Sequence, residues 1–111
     1  MYKYKATITS VYDGDTCTAD IDLGFYMILR KVKVRLWGIN TPEIRGGTDE
    51  EKAKGREVRD YLKERVLNQE VVLVSRGKGK YGRWLCEIYA GDTNLNDEML
   101  EKGMARPYMR D

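Results

Sequence analysis

The sequence predicts an α+β domain, mainly β, built as a five-stranded Greek-key barrel with two packed helices. Three observations predict it. Five segments carry the period-two alternation or β-branched runs of half-buried strands, each bounded by turn residues. Two stretches open on capping residues and continue at helical spacing. The order of elements, three strands, a helix, two strands and a helix, is that of a small closed barrel whose strand face commonly takes oligonucleotides. A chain of 111 residues makes one domain, residues 1–111, with a single core.

The first strand spans residues 2–12, with Tyr2, Tyr4, Ala6, Ile8 and Ser10 on one face and Lys3, Lys5, Thr7 and Thr9 on the other. Asp13-Gly14-Asp15 interrupts it, Asp-Gly being a strong hairpin signal. Alternation resumes from Thr16 to Asp22, and Leu23-Gly24-Phe25 turns the chain into a long third strand, Met27 to Trp37, with Ile28, Val32, Val34 and Leu36 apolar. Within that second hairpin, Phe25-Tyr26-Met27-Ile28 is either an exposed apolar tip or a folded-back turn. Arg45-Gly46-Gly47 is a break, and Thr48 with Glu51 forms a capping box that starts a helix near Asp49 and carries it to about Leu67. Ala53, Val58, Tyr61, Leu62 and Val66 make its core-facing stripe. Gly55 in its first half costs about 1 kcal/mol against Ala. Glu70 to Ser75 is the fourth strand, Arg76-Gly77-Lys78-Gly79-Lys80 a mobile basic loop, and Gly82 to Tyr89 the fifth strand. Asn94 caps a short helix, Leu95 to Lys102, which Gly103 ends.

Composition narrows the chemistry. A net charge of +2 is too small to hold a polyanion by itself, so any such site rests on local clusters of Lys and Arg. There is no histidine. That removes the commonest general base and nearly all transition-metal sites, leaving carboxylates, arginines and hard, oxygen-ligated cations. Cys17 and Cys86 lie far apart in strand-like segments and are expected as buried filler rather than a disulfide or a nucleophile. No run approaches the roughly 18 apolar residues of a membrane span, and residues 1–6 carry no apolar signal segment. As given, the chain reads as a cytoplasmic monomer with no membrane partner; secretion of a longer precursor stays open.

Three stretches stand out as chemistry. Val34 to Glu43 delivers Arg35 at the end of a strand, then a turn of Asn40, Thr41, Pro42 and Glu43. Pro42 fixes its own φ and biases Thr41 towards extended geometry, which stiffens the backbone that carries Glu43. Asp13-Gly14-Asp15-Thr16 and Lys80-Tyr81-Gly82-Arg83 are the other two, each readable alone as a turn. Together, and in this order, they resemble the thermonuclease family, the staphylococcal-nuclease-like (SNase-like) domains, from about Tyr4 to Tyr108.

The resemblance implies an oligonucleotide-binding (OB) fold, in a short form without the final helix of fuller members. It also implies a Ca²⁺-dependent, largely sequence-non-specific nuclease acting on DNA, with RNA a further candidate, and a 3′-phosphate product. Phosphodiester hydrolysis needs cationic donors for the phosphoryl oxygens and a base for the attacking water. By resemblance Arg35, Glu43 and Arg83 are the catalytic residues. Arg35 and Arg83 match phosphate oxygens bidentately, and Glu43 orients or deprotonates the water. By the same resemblance Asp15, Asn40 and the Thr41 carbonyl hold Ca²⁺, with Glu43 reaching it through water. Asn40 departs from the aspartate of the secreted enzymes, which lowers the ligand charge on which Ca²⁺ affinity depends. Asp13 either offsets that charge from just outside the ligands or is simply the turn's Asx residue. Lys80 and Tyr81 match residues that touch a terminal phosphate, and Tyr108 falls near tyrosines that flank a base. Two other readings stay in view. One is a weak or inactive module that binds single-stranded nucleic acid or a protein; the other is an interaction domain that uses Phe25 to Ile28.

Overall fold

The computed structural model describes residues 2–109. Five long strands form the barrel: β1 (Lys3–Asp13), β2 (Thr16–Asp22), β3 (Ile28–Leu36), β5 (Glu70–Lys78) and β6 (Trp84–Ala90). Short strands β4 (Ile39–Asn40), β7 (Thr93–Asn94) and β8 (Arg106–Pro107) join it, with helices α1 (Asp49–Val66) and α2 (Leu95–Glu101). The sheet runs β3-β2-β1-β5-β6-β7, and a parallel pairing of β3 with β6 closes it, Val34 beside Trp84 and Leu36 beside Cys86. The expected mainly β, OB-like barrel with two helices is what forms. Closure removes the open sheet edges that would otherwise recruit other chains.

Local chemistry explains the boundaries. The Thr48 hydroxyl oxygen accepts the Glu51 N–H at 3.1 Å and starts α1 where the capping box places it. Asn94 does the same for α2, accepting the Asp97 N–H at 3.2 Å. Past α2, Gly103 takes φ +71° while the Met104 N–H returns to the Met99 carbonyl, the left-handed ending expected of that glycine. Inside the barrel lie Ile8, Val34, Leu36, Leu73 and Ile88, with Leu62 and Val66 of α1 and Leu95 and Met99 of α2 packed against them, all fully buried. Both cysteines are buried and free. Burial pushes the Cys17 thiol up to about 12 and that of Cys86 to about 11, so both serve as filler and neither is a thiolate at neutral pH.

The structure corrects several sequence expectations. The β1 alternation breaks at a bulge between Ile8 and Ser10, so Ser10 faces out and Val11 turns into the core. Ile28 and Tyr2 are exposed, not core-facing. Phe25 and Tyr26 stand fully in solvent at 96% and 104% exposure, with Met27, Ile28 and Leu29 exposed beside them, so the tip is not folded back. The basic loop is largely strand. β5 continues to Lys78, and Arg76 is committed to Glu87 at 2.9 Å and to the Trp37 ring at 4.0 Å. Among the described residues no helix is long and apolar enough to cross a membrane.

Ala53 is exposed, and Gly55 takes its place on the buried side of α1. A Cβ at Gly55 would lie 2.7 Å from the Glu43 carbonyl oxygen and 2.8 Å from that of Pro42. Helix backbone therefore packs directly on the Pro42–Glu43 turn, and this contact is why a helix-weakening residue stands mid-helix. Asn96, fully buried, ties the other side. It accepts the Ile88 N–H at 3.1 Å and donates to the carbonyls of Trp37 at 2.8 Å and Cys86 at 3.1 Å, locking α2 to the ends of β3 and β6.

Gly55→Ala gains about 1 kcal/mol of helix propensity but forces backbone apart. The expected net is a loss of about 1–3 kcal/mol in urea unfolding; a stabilised variant would show that the turn yields. Asn96→Ala leaves the buried Ile88 N–H without its acceptor and removes the amide donor shared by the Trp37 and Cys86 carbonyls, and a loss of about 1–3 kcal/mol is expected in the same assay.

Candidate active site

The site is built where the β1–β2 turn, the end of β3 and the turn after β4 meet under α1. Asp13 makes the first turn by accepting the Asp15 N–H at 3.2 Å, so the Asx reading of Asp13 describes what it does here. Gly14 lets the turn enter the crevice: a Cβ there would be 2.5 Å from a Val58 methyl and 3.0 Å from the Thr41 hydroxyl oxygen. Asp15 is thereby buried. Its carboxylate accepts the Thr41 N–H at 3.1 Å and the Thr16 hydroxyl at 3.1 Å, and pairs with Arg35 at 3.5 Å.

Arg35 is held on all sides. It donates through Nη1 to the carbonyls of Leu36 at 3.2 Å and Ile39 at 3.0 Å, and through Nη2 to the Asn40 side-chain oxygen at 3.2 Å. Its guanidinium lies over the Tyr108 ring at 5.2 Å. Tyr108 arrives because β8 pairs with β4, Asn40 opposite Arg106, and the Tyr108 N–H reaches the Gly38 carbonyl at 2.9 Å. On the far side of this turn Glu43 is exposed, and its carboxylate has no hydrogen-bond or ion-pair partner among the described residues.

Arg83 stands at the start of β6, next to β3 through the parallel pairing. It follows a tight turn at Lys80–Gly82 in which Tyr81 takes φ +63°, and its guanidinium lies over the Tyr81 ring at 5.7 Å. Its Nε makes only a 3.5 Å contact to the Lys80 carbonyl. Arg35, Arg83, Lys80 and Tyr108 line one cleft of about 340 Å³ together with Trp37, Leu85 and Met109. The fold thus gathers Arg35, Arg83, Lys80 and Tyr108 in the cleft and Asp15, Asn40 and Thr41 around Arg35. Glu43 sits on the adjoining turn, and Tyr81 lies on the rim, exposed.

The donors round Arg35 are oxygens. Among the described residues no three His, Cys, Asp or Glu side chains cluster. Asp15 supplies one carboxylate; Asn40 and Thr41 supply neutral oxygens. The buried Thr41 hydroxyl oxygen has no hydrogen-bond partner among the described residues, an orphaned polar atom of the kind that a bound ion or water completes. Oxygen donors alone fit a hard cation such as Ca²⁺, at low ligand charge.

Sequence reading missed Gly14 and Gly55 as the residues that let backbones close on the site, and Trp37 as a cleft wall. Neither glycine has a positive φ; Gly14 also sits in the Asp13–Asp15 turn, and for both the close approach explains why a side chain is missing. Burial, then the Asp15 carboxylate beside it, raises the Asp13 carboxyl to about 7. That is above its unfolded value of about 4, so the native state holds the proton longer. The stabilisation is complete below about pH 4 and is lost as pH rises towards 7. Asp13→Asn, neutral throughout, should gain Tm on the parent between pH 4.5 and pH 8 in EDTA; a constant difference would show that Asp13 ionises freely.

A family model described as "Staphylococcal nuclease homologue" matches residues 33–111. A protein named "Thermonuclease" from Staphylococcus hyicus is 30% identical over 101 residues, 89% of this chain and 56% of that protein. An "Uncharacterized endonuclease" from Haemophilus influenzae is 32% identical over 106 residues, 96% of this chain and 53% of its own length. A "Micrococcal nuclease" from Shigella flexneri is 28% identical over 114 residues, 95% of this chain and 59% of its own. The chain spans a little over half the length of these relatives. With the closed barrel and the Asp15, Arg35 and Arg83 constellation in place, the match over residues 33–111 assigns this chain to the staphylococcal nuclease homologue family.

Proposed function

We propose that this chain is a monomeric nuclease that hydrolyses phosphodiester bonds of DNA, and also of RNA, with Ca²⁺ as cofactor and little sequence preference. The observation that carries this reading is the meeting of Arg35 and Arg83 in one cleft, beside a turn whose exposed Glu43 carboxylate has no partner among the described residues.

The chain's own residues divide the work. As water attacks phosphorus, negative charge grows on the phosphoryl oxygens, and the two guanidinium groups that line the cleft receive it. Arg83 is the freer fork. Arg35 has both terminal nitrogens engaged, so it turns to phosphate only as Asp15 and Asn40 release Nη2. Glu43 accepts the water's proton while the new O–P bond forms; the bond to the 5′-oxygen breaks, that oxygen takes a proton from solvent and leaves as a 5′-hydroxyl, and a 3′-phosphate remains. Pro42 and the contact with Gly55 fix the backbone that carries that carboxylate. Lys80 and Tyr81 reach the next phosphate, and the Tyr108 ring takes a base face. Asp15, Asn40 and the Thr41 carbonyl would hold Ca²⁺, which when bound adds positive charge at the phosphate and acidifies water.

One observation favours a second reading, a nucleic-acid-binding module without catalysis: Asp15 is the sole carboxylate among the three cation donors. That module has no use for Glu43. Glu43→Gln should lower kcat on single-stranded DNA by about 10²–10⁴-fold while oligonucleotide binding in EGTA stays. Asn40→Asp should lower the Ca²⁺ concentration for half-maximal cleavage. Absence of cleavage at millimolar Ca²⁺ with binding intact would favour the module.

A further inference from the structure

Arg83 lines two clefts. Besides the one it shares with Arg35 and Tyr108, it borders a larger groove of about 660 Å³ that runs over the outer faces of β1, β2 and β3. That volume is in the range of small-ligand sites. Thr16, Thr18 and Lys33 line it, Lys33 standing opposite Thr18 in the β2–β3 register, and the carboxylic residue Asp13 lines it too. Tyr12 of β1 forms one wall, and Tyr81 forms the other.

The two walls repeat one chemistry. Each tyrosine ring carries an arginine: Arg45 lies over Tyr12 at 5.9 Å and Arg83 over Tyr81 at 5.7 Å. Tyr12 and Tyr81 are exposed at 53% and 87%, so both rings are open to a ligand. Between the walls, Lys33 is exposed and has no ion pair with a described carboxylate. Aromatic faces beside uncommitted cations, with hydroxyls between them, suit a flat polar ring joined to an anion. A base in a duplex has its faces covered by neighbours, so capture on tyrosine requires an unpaired one.

We infer that this groove is a second nucleotide subsite, which takes an unpaired nucleotide of the strand whose phosphate lies at Arg83, with Tyr12 stacking on the base and Lys33 pairing its phosphate. The inference rests on the phosphodiester reading of the Arg35–Arg83 cleft. Continuity through Arg83 supplies the direction: a strand leaving the first cleft past this side chain enters the groove. Tyr12 and Lys33 belong to neither the core nor the cation donors, and the groove gives them their one shared surface.

The test measures binding of a fluorescein-labelled ten-residue thymidine oligonucleotide by anisotropy, in EGTA and in the Glu43→Gln background so that the strand stays intact. Tyr12→Ala with Lys33→Ala should raise Kd by roughly ten- to hundredfold. It should also flatten the slope of log Kd against log salt by about 0.7. Lys54→Ala, which removes one charge from the open side of α1, is the control and should change little. A double variant with unchanged melting whose Kd equals the control's overturns the inference, as does equally tight binding of the same strand in a duplex. Lys33→Gln alone tests the charge where the double variant melts early: an unaltered salt slope counts against Lys33. Cleavage by the parent protein is scored separately. No cleavage together with the expected loss of binding retires the nuclease reading and keeps the groove.

Discussion

The Asp15 carboxylate is the point on which the site depends. It binds the Thr41 N–H and the Thr16 hydroxyl and faces the Arg35 guanidinium, so the β1–β2 turn, the end of β3 and the turn after β4 share one buried anion. Removing it would strand a buried N–H and a largely buried arginine, and breaking such a pair costs about 3–5 kcal/mol. The same carboxylate is the sole charge among the oxygen donors near Arg35. Structural and chemical duties therefore meet on one side chain, and Arg35 is preorganised because its neighbours need it.

Around this node the helix acts as a clamp. α1 closes on the turn through Gly55 and on the β1–β2 turn through Val58, which lies where a Gly14 Cβ would be. Two glycines on different elements thus give up side chains so that three backbones can come together. Intrinsic propensity penalises Gly55 in a helix, and tertiary contact overrides it. The stiffness at Glu43 comes from Pro42 before it and from the helix backbone beneath it. An exposed carboxylate on a fixed backbone is suited to accept a proton from water, because solvent reaches it while the backbone that carries it is packed on the helix.

Legibility followed the range of the physics. Capping by Thr48 and Asn94, the Asx turn at Asp13 and the ending at Gly103 are local hydrogen-bond devices, and the chain displays them at fixed offsets. Ala53 and Ser10 were misplaced because periodicity assumes an unbroken repeat: a bulge shifted β1 by one residue, and Gly55 took the helix face that Ala53 was expected to hold. Arg76 reads as a loop cation, flanked by glycine, yet it is paired to Glu87 from the neighbouring strand and stacked on Trp37. Nothing within a few residues of Arg76 signals either partner.

The elements, their order and the three motifs are legible in the chain alone, since propensity, alternation and capping act over a handful of residues. Only the tertiary structure decided which motifs share a cleft. The parallel pairing of β3 with β6 sets Arg83 beside the strand of Arg35, and the two-residue strand β8 lays Tyr108 over Arg35. Both depend on pairings between segments tens of residues apart, whose register is chosen by the whole core and not by the residues that pair.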